Sequence, residues 1–170
     1  MVTIIRGLPG SGKTWYAQHM FKGQLLLEGD QYYTDSDGKY DFGKGLLRSS
    51  VDYVKQMLAT ALAMEIKSIV ITATSADGKT AKEYADIARG FGHKVQHFWI
   101  DYNNGDTSKN QHGLPDDVIE KMKSTWRPIS HEKMIQRHTA QDLFTINHSF
   151  TNHREFPEWY LNLHPNQKPS

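Results

Sequence analysis

The first apolar run of the chain leads into residues 7–14, which read Gly7-Leu8-Pro9-Gly10-Ser11-Gly12-Lys13-Thr14. This octapeptide matches the phosphate-binding loop pattern G-x-x-x-x-G-K-[ST], and residues 2–5 precede it as a feeding strand should. In such a loop the glycines turn backbone N–H groups towards phosphates, while the lysine reaches the β and γ oxygens. A helix that begins near Gly12 adds its positive dipole end. The sequence therefore predicts that residues 7–14 bind ATP, with Thr14 as a ligand of Mg²⁺.

Composition narrows the classes of protein to which the chain can belong. Its 170 residues suit one domain, and the absence of cysteine excludes a disulfide framework and thiolate chemistry. With no apolar leader and no stretch near membrane-spanning length, we expect a cytoplasmic protein that does not contact membranes. The formal net charge of +1 is too small to attract a polyanion by its overall field, so contact with DNA or RNA would need a local patch.

Short apolar runs alternate with amphipathic segments along the chain. Residues 2–6, 25–28, 68–72 and 95–100 have the composition of buried parallel strands, and residues 47–62 and 81–91 carry apolar side chains at helical spacing. The pattern predicts an α/β fold of the phosphate-loop type, an open parallel sheet in three layers with helices on both faces. We expect one domain over residues 1–163, with a lid at about 102–114 and a flexible tail at 164–170.

Finer features of the pattern give local predictions. Thr80 and Glu83 fit a capping box for the helix at 81–91, and Pro115 suits the start of another helix. A short helix is expected at residues 130–138 and one more strand at 144–148. His148 and His153 have no partner at ligand spacing, so a zinc site is not expected.

Asp30 follows the second predicted strand and should lie across from the phosphate loop. A carboxylate there can accept the proton of an attacking hydroxyl and orient that hydroxyl towards the γ-phosphate. The alternative is a loop aspartate that only stabilises a turn. The nearby Asp35, Asp37 and Asp41 have the spacing of turn residues rather than of a metal cluster.

The predicted lid and the helix after it carry further candidates. Lys109 could stabilise charge on the transferring phosphoryl group, and Arg127 is a second candidate cation for this role. A solvated lysine is the alternative for Lys109. His112 could face the substrate as a base, or be a turn histidine bonded to backbone.

The end of the central strand reads Ile69-Val70-Ile71-Thr72-Ala73-Thr74. Many phosphate-loop enzymes place a carboxylate there to hold Mg²⁺, whereas this chain has hydroxyls. The metal would then depend on Thr14, the phosphates, water and Asp30. This departure argues against a motor-type ATPase, and we assign Thr72 and Thr74 to substrate binding.

Aromatic and basic residues accompany the loop that follows Asp30. They could stack and hold nucleic-acid bases, although aromatic residues near a site are commonly part of the core. The set comprises Tyr32, Tyr33, Tyr40 and Trp99, with Lys39 and Lys44.

Five motifs in one order resemble the polynucleotide-kinase-like branch of the phosphate-loop kinases. The resemblance covers residues 2 to about 127. Residues 6–14 are similar to the family's R-G-L-P-G-S-G-K-[ST], residues 30–33 to D-D-Y-[FR], and residues 38–42 to G-x-Y-x-F-D. Residues 84–95 are similar to Y-x-x-x-A-x-x-x-G-[YH]-x-V, and residues 109–115 to the lid motif R-N-x-H-G-V-P. The resemblance implies that Asp30 is the general base.

Departures from the family pattern lie on the acceptor side. Thr72-Ala73-Thr74 replaces an acid-containing D-[NT]-[TN], Lys109 replaces an arginine, Gln31 replaces a second acid, and Val51 replaces a frequent histidine. Lysine keeps the charge but loses the two-pronged geometry of arginine.

Together these features predict an ATP-dependent kinase with a nucleic-acid hydroxyl as acceptor. The leading candidate is the 5′-hydroxyl of a DNA or RNA end, and the alternative is a hydroxymethyl group on a modified base such as 5-hydroxymethyluracil in phage DNA. The acceptor-side departures weigh towards the alternative, which needs base flipping or a single strand. A nucleoside or nucleotide kinase comes third, and an ATP-dependent binding switch is the alternative outside the kinases.

Overall fold

Five parallel strands form one sheet in the order β2-β3-β1-β4-β5. The computed structural model describes residues 1–33, 36–39, 47–137 and 156–167. The strands are β1 (Val2–Gly7), β2 (Leu25–Glu28), β3 (Ile69–Ala73), β4 (Val95–Tyr102) and β5 (Lys133–Arg137). The helices are α1 (Lys13–Met20), α2 (Asp30–Tyr33), α3 (Leu47–Ala63), α4 (Lys79–Gly90), α5 (Asp116–Thr125) and α6 (Glu158–Leu163). The predicted α/β fold with a parallel sheet is confirmed.

The central strand β1 is buried on both faces, which explains the apolar side chains of Val2, Ile4 and Ile5 in its sequence. Ile4 packs on one face of the sheet with side chains of α3 and α4. Its neighbour Ile5 points the other way and packs with Tyr16 of α1 and Ile100 of β4. Because successive side chains of a strand alternate between faces, two separate cores form and give the three layers.

A third cluster of buried side chains is mostly aromatic and joins β4 and β5 to α6. Trp99 of β4 is 1% exposed and packs at ring-centroid distances of 5.1 Å from Trp126 and 6.0 Å from Trp159. The stacking role considered for Trp99 is therefore wrong, because the ring lies inside this core. Trp159 also donates from Nε1 to Asp101 Oδ1 at 2.9 Å, which ties α6 to the sheet.

Two local predictions are corrected. Residues 133–137 form strand β5, not a helix, because Met134 and Ile135 are buried where β5 pairs with β4. α4 begins at Lys79, one residue before the proposed Thr80 cap, and Ser75 Oγ accepts from the Ala81 N–H at 3.0 Å.

Other predictions of the chain's organisation stay untested. Residues 165–167 form a short 3-10 helix, and residues 168–170 lie outside the described part, as does the strand expected at 144–148. In the described ranges, no helix combines the length and the apolar character that a membrane crossing requires.

Arg6 connects the sheet to two loops at the carboxyl edge of the strands. Its guanidinium is buried and forms a two-pronged ion pair with Glu132, at 2.7 Å from Nε and 2.8 Å from Nη2. It also donates to the carbonyl oxygens of Ser75, at 2.5 Å, and Arg127, at 2.8 Å. The loops that follow β3 and α5 are thus held together by one arginine.

We expect Glu132→Ala to lower the free energy of unfolding by about 3 to 5 kcal/mol, because it leaves the Arg6 charge buried without its counterion. Urea unfolding measures this change. Asp86→Ala is the matched control, since it removes an ion pair with Arg89 whose side chains are more than half exposed, and it should change stability by less than about 0.5 kcal/mol. Equal losses in the two variants would contradict the role assigned to the buried pair.

Candidate active site

The phosphate loop spans the end of β1 and the start of α1. Gly10 and Gly12 have φ angles of +79° and +87°, which favour glycine, and the Ser11 N–H closes a turn onto the Leu8 carbonyl at 3.1 Å. Gly12 directly precedes α1, so the first N–H groups of this helix face the cradle. This backbone shape fits the phosphates of a nucleotide, as the sequence predicted.

Lys13 lies with its ammonium group inside the loop. Its Nζ donates to the carbonyl oxygens of Gly7 and Leu8, at 3.0 Å each. Burial lowers the pKa of Lys13 to about 8, although the carboxylates of Asp30 and Glu28 act in the opposite direction. A polyphosphate would restore the favourable environment of the charged form, so the loop is suited to a multiply charged anion.

The predicted lid packs directly on the phosphate loop. A side chain built at Gly10 would place its Cβ 2.7 Å from the Asn110 nitrogen and 2.8 Å from the Lys109 carbonyl carbon. Lys109 therefore stands beside the loop, with its Nζ 5.5 Å from the centre of the Tyr102 ring. A cation next to the phosphate cradle is consistent with the role proposed for Lys109.

Asp30 and His112 meet between α2 and the lid. The Nε2 atom of His112 lies 3.1 Å from Asp30 Oδ2, with the two side chains 34% and 50% exposed. Asp30 also acts electrostatically on Lys13. The predicted base, the lid and the loop lysine thus converge, and the carboxylate keeps access to solvent through which an acceptor can approach.

The aromatic candidates separate in the structure. Tyr32 is 40% exposed, whereas Tyr33 is 3% exposed. Their rings meet edge to face at a centroid distance of 5.3 Å. Tyr40 lies outside the described residues. Tyr32 is the described tyrosine of this set that an acceptor can reach next to Asp30.

Arg127 is placed among C-terminal elements. It lines an open cavity of about 270 Å³ with Tyr160 and His164. Its Nη1 donates to the Trp126 carbonyl at 2.8 Å, and in the described ranges none of its hydrogen bonds reaches the phosphate loop. The structure therefore does not bring Arg127 together with Lys13 and Asp30.

Two functional candidates were not singled out from the sequence. Arg137, at the end of β5, is 7% exposed and donates from Nη1 to the Ser11 carbonyl at 2.8 Å. Its guanidinium lies 5.8 Å from the Trp15 ring centre and 5.6 Å from that of Tyr102. Because the sequence predicts a helix for this segment, it does not indicate that Arg137 ends a strand, where its side chain can approach the phosphate loop.

The second is Glu28, at the end of β2. Its Oε1 accepts hydrogen bonds from Thr14 Oγ1 at 2.5 Å and from Thr72 Oγ1 at 2.7 Å. Thr74, one residue beyond the end of β3, is partly exposed. A hydroxyl and a carboxylate oxygen are hard ligands of the kind that suit Mg²⁺, so this donor set fits the metal that accompanies a nucleotide. No group of three or more His, Asp or Glu side chains suited to a metal occurs in the described ranges.

The parallel sheet and the phosphate loop define a nucleotide-binding protein of the phosphate-loop class. A family model described as an AAA domain matches residues 2–129, and the chain belongs to this family.

Solved structures share the fold across most of their length. A gluconokinase from Sinorhizobium meliloti 1021 is 15% identical, with a TM-score of 0.58. The match covers 97% of this chain and 94% of the gluconokinase chain. The APS kinase CysC of Mycobacterium tuberculosis, in complex with AMPPNP and APS, is 16% identical with a TM-score of 0.55, covering 84% and 90%. The tunicamycin resistance protein of Deinococcus radiodurans is 12% identical with a TM-score of 0.53, covering 79% and 84%. These similarities establish a phosphate-loop kinase-like fold.

We expect the affinity for ADP to decrease by up to about tenfold per pH unit above pH 8. Lys13 loses its proton near this pH in the free protein, whereas bound phosphates raise its pKa, so binding takes up a proton. Isothermal titration calorimetry between pH 7 and 9.5, in buffers with different ionisation enthalpies, measures both effects. Lys13→Met is the control and should show no proton uptake, and a constant affinity of the wild type across this range would contradict the assignment.

Proposed function

We propose that this protein is an ATP-dependent kinase that transfers the γ-phosphoryl group to a hydroxyl of nucleic acid. The observation that carries the proposal is the position of Asp30, which contacts His112 of the lid at 3.1 Å and acts electrostatically on Lys13. A base, a phosphate-binding cation and a lid at one edge of a sheet are the parts that phosphoryl transfer requires.

In the proposed reaction Asp30 orients the acceptor hydroxyl and accepts its proton. The acceptor oxygen bonds to the γ-phosphorus as the bond from that phosphorus to the β–γ bridging oxygen breaks, which releases ADP. His112 donates to the other carboxylate oxygen and so fixes the carboxylate in place. Lys13 and Lys109 stabilise negative charge on the transferring group. Mg²⁺, when bound near Thr14, would supply further positive charge to the phosphate oxygens.

The surface beside Asp30 supports an acceptor that carries a base. Tyr32 follows Asp30 by two residues, and its ring is 40% exposed. Stacking of a base on an aromatic ring contributes about 1 to 3 kcal/mol and is tolerant of sequence, as a kinase acting on many strands needs. We therefore place the nucleotide that carries the acceptor hydroxyl next to Tyr32.

Two hydroxyls on nucleic acid suit this arrangement. The 5′-hydroxyl of a DNA or RNA end is the leading acceptor, because residues 30–33 and the lid resemble polynucleotide kinases. A hydroxymethyl group on a base is the second, and the departures from the family pattern at Gln31, Lys109 and the partly exposed Thr74 favour it. A nucleoside or nucleotide acceptor is the third, and the small-molecule kinases among the structural neighbours make it a necessary arm of the test.

The test is incubation with γ-labelled ATP and Mg²⁺ against matched oligonucleotides of DNA and RNA. One has a free 5′-hydroxyl, one is blocked at the 5′ end, and one is blocked but carries internal 5-hydroxymethyluracil. Free nucleosides and nucleotides form a separate arm. Tyr32→Ala and Tyr53→Ala form a matched pair of variants. The two rings lie 5.9 Å apart, centroid to centroid, but Tyr32 is the ring that we place next to the acceptor nucleotide.

Label on free 5′ ends alone would establish an end kinase, and label on the blocked modified strand would establish a base kinase. Label on nucleosides or nucleotides alone would replace nucleic acid with a small molecule as acceptor. No transfer to any acceptor, together with slow ATP hydrolysis, would overturn the kinase proposal in favour of a binding switch.

A further inference from the structure

Glu28 occupies a position between the phosphate loop and the central part of the sheet. It is the last residue of β2 and is paired in register with Thr72 of β3. One of its carboxylate oxygens, Oε1, accepts hydrogen bonds from Thr14 at 2.5 Å and from Thr72 at 2.7 Å. The loop hydroxyl that is expected to bind Mg²⁺ is therefore already bonded to a carboxylate.

We propose that Glu28 is the carboxylate that positions the divalent cation in this protein, a task that other phosphate-loop proteins give to an acid at the end of β3. The inference rests on the proposed function, because it concerns the metal that accompanies the nucleotide. In this protein the acid would then lie at the end of β2, the strand that neighbours β3 in the sheet.

The hydrogen bonds explain how Glu28 can act on the metal. Thr14 donates its only hydroxyl proton to Glu28, which leaves the lone pairs of Thr14 Oγ1 directed away from the carboxylate and available to a cation. Partners of this kind orient the groups that hold a metal and increase their basicity. Oε1 already accepts two hydrogen bonds, whereas no hydrogen bond from the described residues reaches Oε2, which can accept one from a water on the cation.

The same contact explains the departure at Thr72. This side chain is 6% exposed, so a carboxylate in its place would be buried next to Glu28 and the two negative charges would repel. A hydroxyl instead supports Glu28 by donating to it. The residues at the ends of β2 and β3 are thus complementary, and the apparent loss of an acid on β3 is matched by its presence on β2.

The test measures the effect of Mg²⁺ on ADP affinity by calorimetry, in excess Mg²⁺ and in EDTA. Glu28→Gln keeps the shape and one oxygen acceptor but removes the charge. We expect it to reduce the Mg²⁺-dependent gain in affinity by at least about tenfold, while affinity in EDTA stays equal or increases because a negative charge near the phosphates is gone. Glu120→Gln is the control, since Glu120 is an exposed acid on α5 that pairs with Lys123.

A second variant tests the proposal more strictly. Glu28→Gln combined with Thr72→Asp returns the acid to β3 and should recover most of the Mg²⁺-dependent gain. An unchanged gain in Glu28→Gln alone would overturn the inference while leaving the proposed kinase intact. A wild-type protein that binds ADP in neither condition would overturn the proposed function, and the inference with it.

Discussion

Asp30→Asn is expected to reduce kcat for phosphoryl transfer by about 10³-fold while ADP affinity changes by less than about threefold. Asparagine preserves the size of the side chain and an oxygen that can accept from His112, but it cannot take a proton from the acceptor hydroxyl. Asp30 contacts His112 of the lid, and the Lys13 ammonium is held by the carbonyl oxygens of Gly7 and Leu8, so nucleotide binding should depend little on Asp30. Single-turnover transfer and calorimetric ADP binding measure the two quantities separately.

Asp37→Asn is the matched control for this prediction. Asp37 is an exposed acid in the same region of sequence, seven residues further along, and its spacing indicates a turn. It should transfer phosphate at nearly the wild-type rate. If Asp30→Asn and Asp37→Asn were equally active, Asp30 would not be the base. If the wild type only hydrolysed ATP and Asp30→Asn left that rate unchanged, the binding switch would be the better description.

The fold was largely predictable because its signals are local. Four of the five strands are apolar runs next to a loop or helix signal, and the octapeptide at residues 7–14 places β1 and α1 by itself. The sequence predicts a helix where β5 lies, because two apolar residues, Met134 and Ile135, are too few to distinguish the periodicity of a strand from that of a helix. Pairing with β4 decides between the two structures, and that pairing is a long-range contact that no window of sequence contains.

The site was predictable wherever a single segment carries it. The phosphate loop and the predicted lid are contiguous motifs, and Gly10 of the first lies against Asn110 of the second. Glu28 and Arg137 were missed because their importance comes from neighbours in the sheet. β2 lies beside β3, so Glu28 meets Thr72 across 44 positions of sequence, and β5 brings Arg137 under Ser11 across 126 positions.

The position of Arg127 depends on contacts that its neighbours in sequence do not show. Arg127 follows a predicted helix and could have reached the phosphates, but its backbone is held at Ala76 by a 2.7 Å hydrogen bond and at Arg6 by one of 2.8 Å. Its side chain then lies with α6. The hydrogen bonds that fix the backbone of Arg127 therefore place its side chain away from Lys13. A catalytic role for an arginine can be assigned only once such contacts of its backbone are known.

Lys13→Met is expected to lower kcat/KM for phosphoryl transfer by at least about 10³-fold and to stabilise the nucleotide-free protein. The activity falls because the charge that acts on the phosphate oxygens is lost from a site where little water screens it. The stability rises because burial lowers the pKa of Lys13 from 10.5 to about 8, so the charged side chain is unfavourable in the free fold at pH 7. Methionine has a similar length and no charge.

The pH dependence of stability distinguishes this explanation from simple damage to the loop. Between pH 8 and 10.5 the unfolded chain binds more protons at Lys13 than the folded chain does, so the wild type should gain stability as the pH rises through this range. The variant lacks this gain. At pH 7 its free energy of unfolding should exceed that of the wild type by roughly 1 to 3 kcal/mol, a range that allows for the part of the Lys13 side chain that solvent reaches. Urea unfolding at pH 7 and pH 10 measures the difference. Lys94→Met, which changes an exposed lysine outside the phosphate loop, should show neither effect. A Lys13→Met protein less stable than the wild type at pH 7 would contradict a buried, destabilising charge that the protein retains for its nucleotide.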